Sequence, residues 1–107
     1  IDKELLIEQN LQGKGVAPAT CVIPGSEYDC GLTWSRDVDK AKELLAEAGW
    51  DSSRKLKMAV TSARESMAAI IQQNLAEAGI TIDVQTVELA TMFSGLQDGT
   101  YYLGICG

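Results

Sequence analysis

The sequence contains no histidine. That absence removes the commonest transition-metal ligand, the usual general base, and the partner that a catalytic cysteine or serine normally needs. Most hydrolytic schemes are excluded with it. Basic residues are also scarce: nine Lys and Arg stand against fifteen Asp and Glu, for a formal charge of −6. Recognition of phosphate requires clustered cations, and the sequence has no such cluster, so neither nucleic acid nor an anionic membrane surface is an expected partner. No apolar run approaches the roughly 20 residues that cross a bilayer. The sequence opens on Ile1 rather than Met, without a basic-then-apolar leader, and closes on Gly107 inside what reads as a strand. It is therefore expected to be a piece of a longer protein. Its three cysteines, Cys21, Cys30 and Cys106, fit no zinc spacing and include no Cys-x-x-Cys pair, so no metal or cofactor is expected. Cys21 and Cys30 flank a Pro24-Gly25 turn, which makes a disulfide across that loop the expectation and an oxidising compartment its natural setting. The alternative is two buried free thiols.

What the chain does have is one complete strand, helix, strand unit between Lys55 and Glu88. Leu56, Met58 and Val60 alternate with Lys55, Lys57 and Ala59, the period of two of a strand. Ser62 followed three residues later by Glu65 predicts a capping box at a helix start. Met67, Ile71, Leu75 and Ala78, with Ala68 and Ile70, then recur at helical spacing, while Gln72, Gln73 and Glu77 take the other side. Gly79 ends the helix, and Ile80, Ile82, Val84 and Thr86 form one face of a second strand. Two strands joined by a helix are expected to lie parallel, with a right-handed crossover.

The remainder attaches to this unit. Asp2 predicts a cap for a short helix that ends near Gly13 or Gly15. Val16 to Trp34 carries Pro18, Pro24, Gly25, Ser26 and Gly31, so it reads as a long ordered loop, with Tyr28 and Trp34 packing onto the core. Asp37 predicts another cap, followed by a helix that buries Ala41, Leu44, Leu45 and Ala48. The segment Leu45-Ala46-Glu47-Ala48-Gly49-Trp50 returns as Leu75-Ala76-Glu77-Ala78-Gly79-Ile80; it reads as one helix-ending solution used twice. Leu89 to Gln97 predicts a last helix with Leu89, Met92, Phe93 and Leu96 inward, and Tyr101 to Cys106 a third strand. The fold class is α/β: one domain over residues 1–107, with a mostly parallel sheet flanked by helices.

Ligands of such sheets bind beyond the carboxyl ends of the strands. Ser62 and Arg64 in the first such loop combine a helix start, a hydroxyl and a guanidinium suited to an anion. Val87-Glu88 in the second reads as a helix cap, and Gly104, Cys106 and Gly107 in the third allow close approach. No nucleophile has a base and no two carboxylates share a site, so no enzyme is expected. A small enzyme domain using Cys106, or an interaction domain pairing through a strand edge, remain the alternatives.

The order of these signatures resembles the family 5 extracellular solute-binding proteins, which serve dipeptide, oligopeptide and nickel ABC transporters. The Asp-capped helix ending in Gly13-Lys14-Gly15-Val16 and the loop Val22-Ile23-Pro24-Gly25-Ser26 are similar to that family's helix, glycine loop and proline loop. Asp37 to Trp50 resembles its Asp-Pro-x-Lys-Ala-x-x-Leu-Leu-x-x-Ala-Gly-aromatic run, with Val38 in place of Pro. Ile71 to Leu75 with Gly79-Ile80, and Gln97 to Gly104 with Tyr102 in place of Asp, complete the likeness. The resemblance implies part of the second lobe of a two-lobe clamshell, a periplasmic-binding-protein type II-like lobe. It implies a peptide or small solute as ligand, an ABC permease in the membrane as partner, and a periplasmic or lipid-anchored extracellular location. Family members meet a peptide carboxylate with a basic residue in the loop where Arg64 stands. Their cleft Trp and Asp follow the Gly that Gly107 matches, so the 107 residues alone are expected to bind peptides feebly or not at all.

Overall fold

The computed structural model describes residues 1–107 throughout. The chain divides into two compact units, Ile1–Asp37 and Val38–Gly107.

In the first unit, helix α1 spans Lys3–Leu11. Asp2 caps it as expected, its carboxylate accepting from the Leu5 N–H at 2.9 Å. The helix stops before either glycine named above, because Gln12 already turns left-handed with φ 53°. No residue of α1 is buried. The rest of the unit is irregular and is organised around Asp29, whose carboxylate accepts from the Gly25 N–H at 2.7 Å and the Gly31 N–H at 3.0 Å. Those two backbone donors, Gly25 first, hold its pKa below the ordinary carboxylate value. The expectation that Tyr28 and Trp34 pack onto a core fails. They are 76% and 71% exposed, because no residue of this unit forms a buried core to receive them. Cys21 and Cys30, expected to pair, are exposed thiols in this structure.

In the second unit, helix α2 (Val38–Glu47) leads to strand β1 (Lys55–Val60). A single tight turn at Ser62–Arg64 then opens helix α3 (Glu65–Glu77), followed by strand β2 (Thr81–Thr86), helix α4 (Leu89–Asp98) and strand β3 (Leu103–Ile105). The strand order is β2-β1-β3, and β1 pairs with both neighbours in parallel, with Met58 opposite Val84 on one side and Leu103 on the other. The predicted unit is therefore present. Its two helix ends are built alike: the Trp50 N–H donates to the Leu45 carbonyl and the Ile80 N–H to that of Leu75, each at 2.9 Å. Gly49 and Gly79 take φ of 67° and 91°, a region that only glycine enters freely.

Alternation along β1 sends neighbouring residues to opposite faces, and each face finds its own helix. Met58 and Val60 pack with Ala68 of α3 and Ile82 of β2, and Leu56, Ile71, Leu75, Ile80, Val84 and Ile105 close the cluster. Ala59 on the other face packs with Met92 of α4 and Tyr101, with Val87 beside them. At about 1.5–3 kcal/mol for each fully buried large apolar side chain, these two layers supply most of the unit's stability.

Three expectations need correction. The α2 side predicted to be buried is not covered: Ala41 and Leu45 are half-buried, Leu44 and Ala48 exposed. On α4, Met92 is buried as expected, but Gly95 takes the second buried position while Leu89, Phe93 and Leu96 stay exposed. A Cβ on Gly95 would overlap the Tyr101 ring, so the helix approaches along its smallest side chain. The third strand is shorter than predicted and begins at Leu103. Tyr102 instead lies with Trp50 against Arg54, whose guanidinium carbon is 5.3 Å from the Tyr102 ring and 5.8 Å from the Trp50 ring.

Candidate functional site

The carboxyl ends of all three strands meet at one end of the second unit. Two backbone bonds hold them there: the Val87 N–H donates to the Val60 carbonyl at 2.9 Å, and the Thr61 N–H to the Ile105 carbonyl at 3.3 Å. The chain leaves β1 toward α3 on one face and β2 toward α4 on the other. Such a divergence opens a crevice between the two departing loops. A hollow of about 280 Å³ lies there, lined by Thr61, Ser62, Thr86, Val87, Glu88 and Leu89. Larger hollows occur in the first unit, one of about 380 Å³ beside Lys3 and Asp29. Two of its charged groups are already engaged: the Lys3 Nζ donates to the Pro18 carbonyl, and Asp29 holds two glycine amides. We place the site at the strand ends for that reason.

Arg64 is the decisive side chain. It ends the tight turn after β1, where its N–H donates to the Thr61 carbonyl at 2.9 Å, and it is half-buried. Its guanidinium lies against Gly107: a Cβ at that glycine would stand 3.1 Å from one Nη and 3.5 Å from Nε. The tips after β1 and β3 therefore converge. No carboxylate of the chain pairs with Arg64. A partly desolvated, unpaired guanidinium keeps its planar set of donors available for a carboxylate or similar anion.

Of the remaining predicted positions, Ser62 is exposed and lines the hollow, and Cys106 is exposed beside Gly107. Gly104 does not line this hollow. It faces α4, where a Cβ would come within 2.9 Å of Leu96 Cδ1 and 3.1 Å of Met92 Sδ, so its small size serves helix packing. The predicted capping box is also absent: Thr61 and Arg64 make no side-chain caps, and the Glu65 carboxylate accepts instead from the Thr86 hydroxyl at 2.9 Å. That bond ties the start of α3 to the end of β2 and holds two walls of the crevice together. Val87 and Glu88 form the second strand-end loop, read from the sequence only as a helix cap, whereas Thr86 and Leu89 were not singled out as ligand-facing. Their signal is positional, since each falls at or just beyond the carboxyl end of β2.

Residues 1–107 match the bacterial extracellular solute-binding proteins, family 5 Middle. The chain belongs to this family. Among its relatives is the oligopeptide-binding protein AppA of Bacillus subtilis (strain 168), 28% identical in a match that covers 86% of this chain and 20% of that protein. The fold matches the crystal structure of the ABC transporter substrate binding protein CtaP from Listeria monocytogenes with a TM-score of 0.77 and 25% identity, over 94% of this chain and 22% of that one. The chain thus spans about a fifth of the length of each of these family members. The α/β lobe with its parallel sheet is the architecture the family resemblance implied.

Proposed function

We propose that the protein containing these residues is the substrate-binding component of an ABC importer for peptides or related solutes. In this reading residues 1–107 are part of the second of two lobes that close on the solute, and the closed form delivers it to a permease in the membrane. The location is periplasmic, or extracellular with a lipid anchor. The name of the oligopeptide-binding relative supports a peptide as the solute. The observation that carries the reading is the unpaired guanidinium of Arg64 at the convergence of the β1 and β3 tips. Arg64 receives the solute's carboxylate, and the Ser62 hydroxyl lies in the adjoining hollow. Gly107 leaves room for that contact, because any side chain there would press on the guanidinium. Catalysis has no part in this scheme. Cys106 has no hydrogen-bonded base, and the chain has no histidine.

The test is calorimetry on the full-length protein with short peptides, comparing free with amidated carboxyl termini. A hydrogen bond to a charged group contributes about 1.5–3 kcal/mol, so Arg64→Ala is expected to weaken binding of the free acid about 10- to 100-fold. The amidated peptide should bind wild type and variant alike. Equal loss for both peptides, or no loss for either, would remove Arg64 from the carboxylate's recognition.

A further inference from the structure

The hollow between the β1 and β2 tips is lined by one charged side chain, and it is not Arg64. Thr61 and Ser62 form one wall, and Thr86 to Leu89, with Glu88 among them, the other. Glu88 opens α4: its carbonyl accepts from the Met92 N–H at 3.0 Å, and its backbone is extended at φ −67° and ψ 151°. Its side chain does not make the cap bond that this position offers. The carboxylate is exposed and has no ionic or hydrogen-bonded partner in the chain. Glu65, the other acid nearby, is engaged by the Thr86 hydroxyl and does not line the hollow.

Arg64 and Glu88 thus stand on adjoining tips, joined by the bond from the Val87 N–H to the Val60 carbonyl at 2.9 Å, and neither neutralises the other. A solute that bears both signs satisfies both. With a peptide's terminal carboxylate on Arg64, the side chain next to that carboxylate is the group nearest the hollow. The lining suits a long cationic one: Val87 and Leu89 offer apolar surface to its methylenes, Thr61 and Ser62 carry hydroxyls that accept hydrogen bonds from its head, and Glu88 supplies the opposite charge. The positive end of the α4 dipole opposes such a cation, but it amounts to about half a charge, against the full charge of the carboxylate.

We propose that Glu88 makes this hollow selective for a basic side chain, so that the preferred solutes are peptides ending in lysine or arginine. The inference rests on the reading of Arg64 as the receptor of the solute's carboxylate. An acid at a helix start is ordinarily explained by the helix dipole alone. That role would serve the stability of α4 and be indifferent to the solute.

Calorimetry on the full-length protein separates the two roles, with free-acid tripeptides that differ only in the last residue: Ala-Ala-Lys, Ala-Ala-norleucine and Ala-Ala-Glu. Wild type should bind the lysine peptide about three- to tenfold more tightly than the norleucine peptide, the range of an exposed charge pair with a hydrogen bond, and the glutamate peptide least. Added salt should narrow that preference. Glu88→Gln should erase the difference between the lysine and norleucine peptides, and Glu88→Lys should place the glutamate peptide above the lysine peptide. Equal binding of lysine and norleucine peptides by wild type would overturn the proposal and leave the role of Arg64 intact. A lysine preference that survives Glu88→Gln would place the selecting group elsewhere and overturn it too. Equal weakening of all the peptides in Glu88→Gln, with a lowered melting temperature, would assign Glu88 to the stability of α4 alone. Binding of no peptide by wild type would overturn the reading of the solute itself, and this inference with it.

Discussion

Residues 1–37 and residues 38–107 are ordered by different means. The second unit has a buried apolar layer on each face of its sheet. The first has no buried residue at all, and it keeps its form through a helix cap, a lysine on a carbonyl and a carboxylate holding two glycine amides. Below about 40 residues a chain rarely buries enough surface to stand by itself. The comparison teaches that periodic apolar spacing marks what packs, whereas turn chemistry marks only what bends.

The sharpest way to break this contrast is to delete apolar volume in each unit. Met58 is fully enclosed between β1 and α3, so Met58→Ala should destabilise the protein by about 2–5 kcal/mol in denaturant titration. Ile23, 76% exposed, should tolerate the same change within about 0.5 kcal/mol. A large effect at Ile23 would mean that the first unit is buried against something in the full protein, and the contrast would then belong to the isolated residues alone.

A second prediction concerns how the first unit is held in its native compartment. Cys21 and Cys30 are exposed thiols on either side of the Asp29-centred turn. Oxidation would close a loop of about ten residues and stabilise the unit by about 2–3 kcal/mol through the unfolded state. Alkylation of the full-length protein, taken from its native compartment, under denaturing, non-reducing conditions should leave both unlabelled and label Cys106. Labelling of all three would rule out the bridge.

The third prediction returns to the sheet. Gly95 sits where the Tyr101 ring presses on α4, so Gly95→Ala should cost about 1–3 kcal/mol by overpacking, although alanine is the better helix former. Thermal melts of this variant beside Gly104→Ala would show whether both glycines set the same helix-to-sheet distance. A neutral Gly95→Ala would show that the ring can move aside.

How much of this could be read in the sequence follows the same division. The alternation of Leu56, Met58 and Val60 and the spacing of Ile82 and Val84 located the parallel pair, and that topology brought Arg64 and Gly107 to one end of the sheet. Periodicity misjudged α4 because it counts apolar residues, and the side that faces the sheet is led by Gly95 and closed by the Tyr101 ring. Glu65 was misjudged for a different reason. A cap is a contact within one turn, and its carboxylate found Thr86, at the far end of the next strand. Tyr28 and Trp34 show the limit of composition: aromatic character does not say whether a covering surface exists within the same residues.

The smallest expected effect is confined to the first unit and separates it most cleanly from the second. The pKa of Asp29 lies below its ordinary value, chiefly because the Gly25 N–H, and then the Gly31 N–H, donate to its ionised carboxylate. A group depressed in the folded state stabilises the fold fully above its ordinary pKa, about 3.9 for Asp. That stabilisation is lost as the pH falls from there through the lower folded value. Protection of the Gly25 and Gly31 amides, corrected for intrinsic exchange rates, should therefore hold steady from pH 7 to about pH 5 and decline below about pH 4. The Ala59 amide in β1, which has no such carboxylate, should not follow that profile. In Asp29→Asn both glycine amides lose a charged acceptor, so they should exchange faster at neutral pH and show little of the acid-dependent decline. Unchanged protection of Gly25 and Gly31 down to pH 2 in the wild type would show that the turn stands without its carboxylate, and that the first unit is held by something other than its local hydrogen bonds.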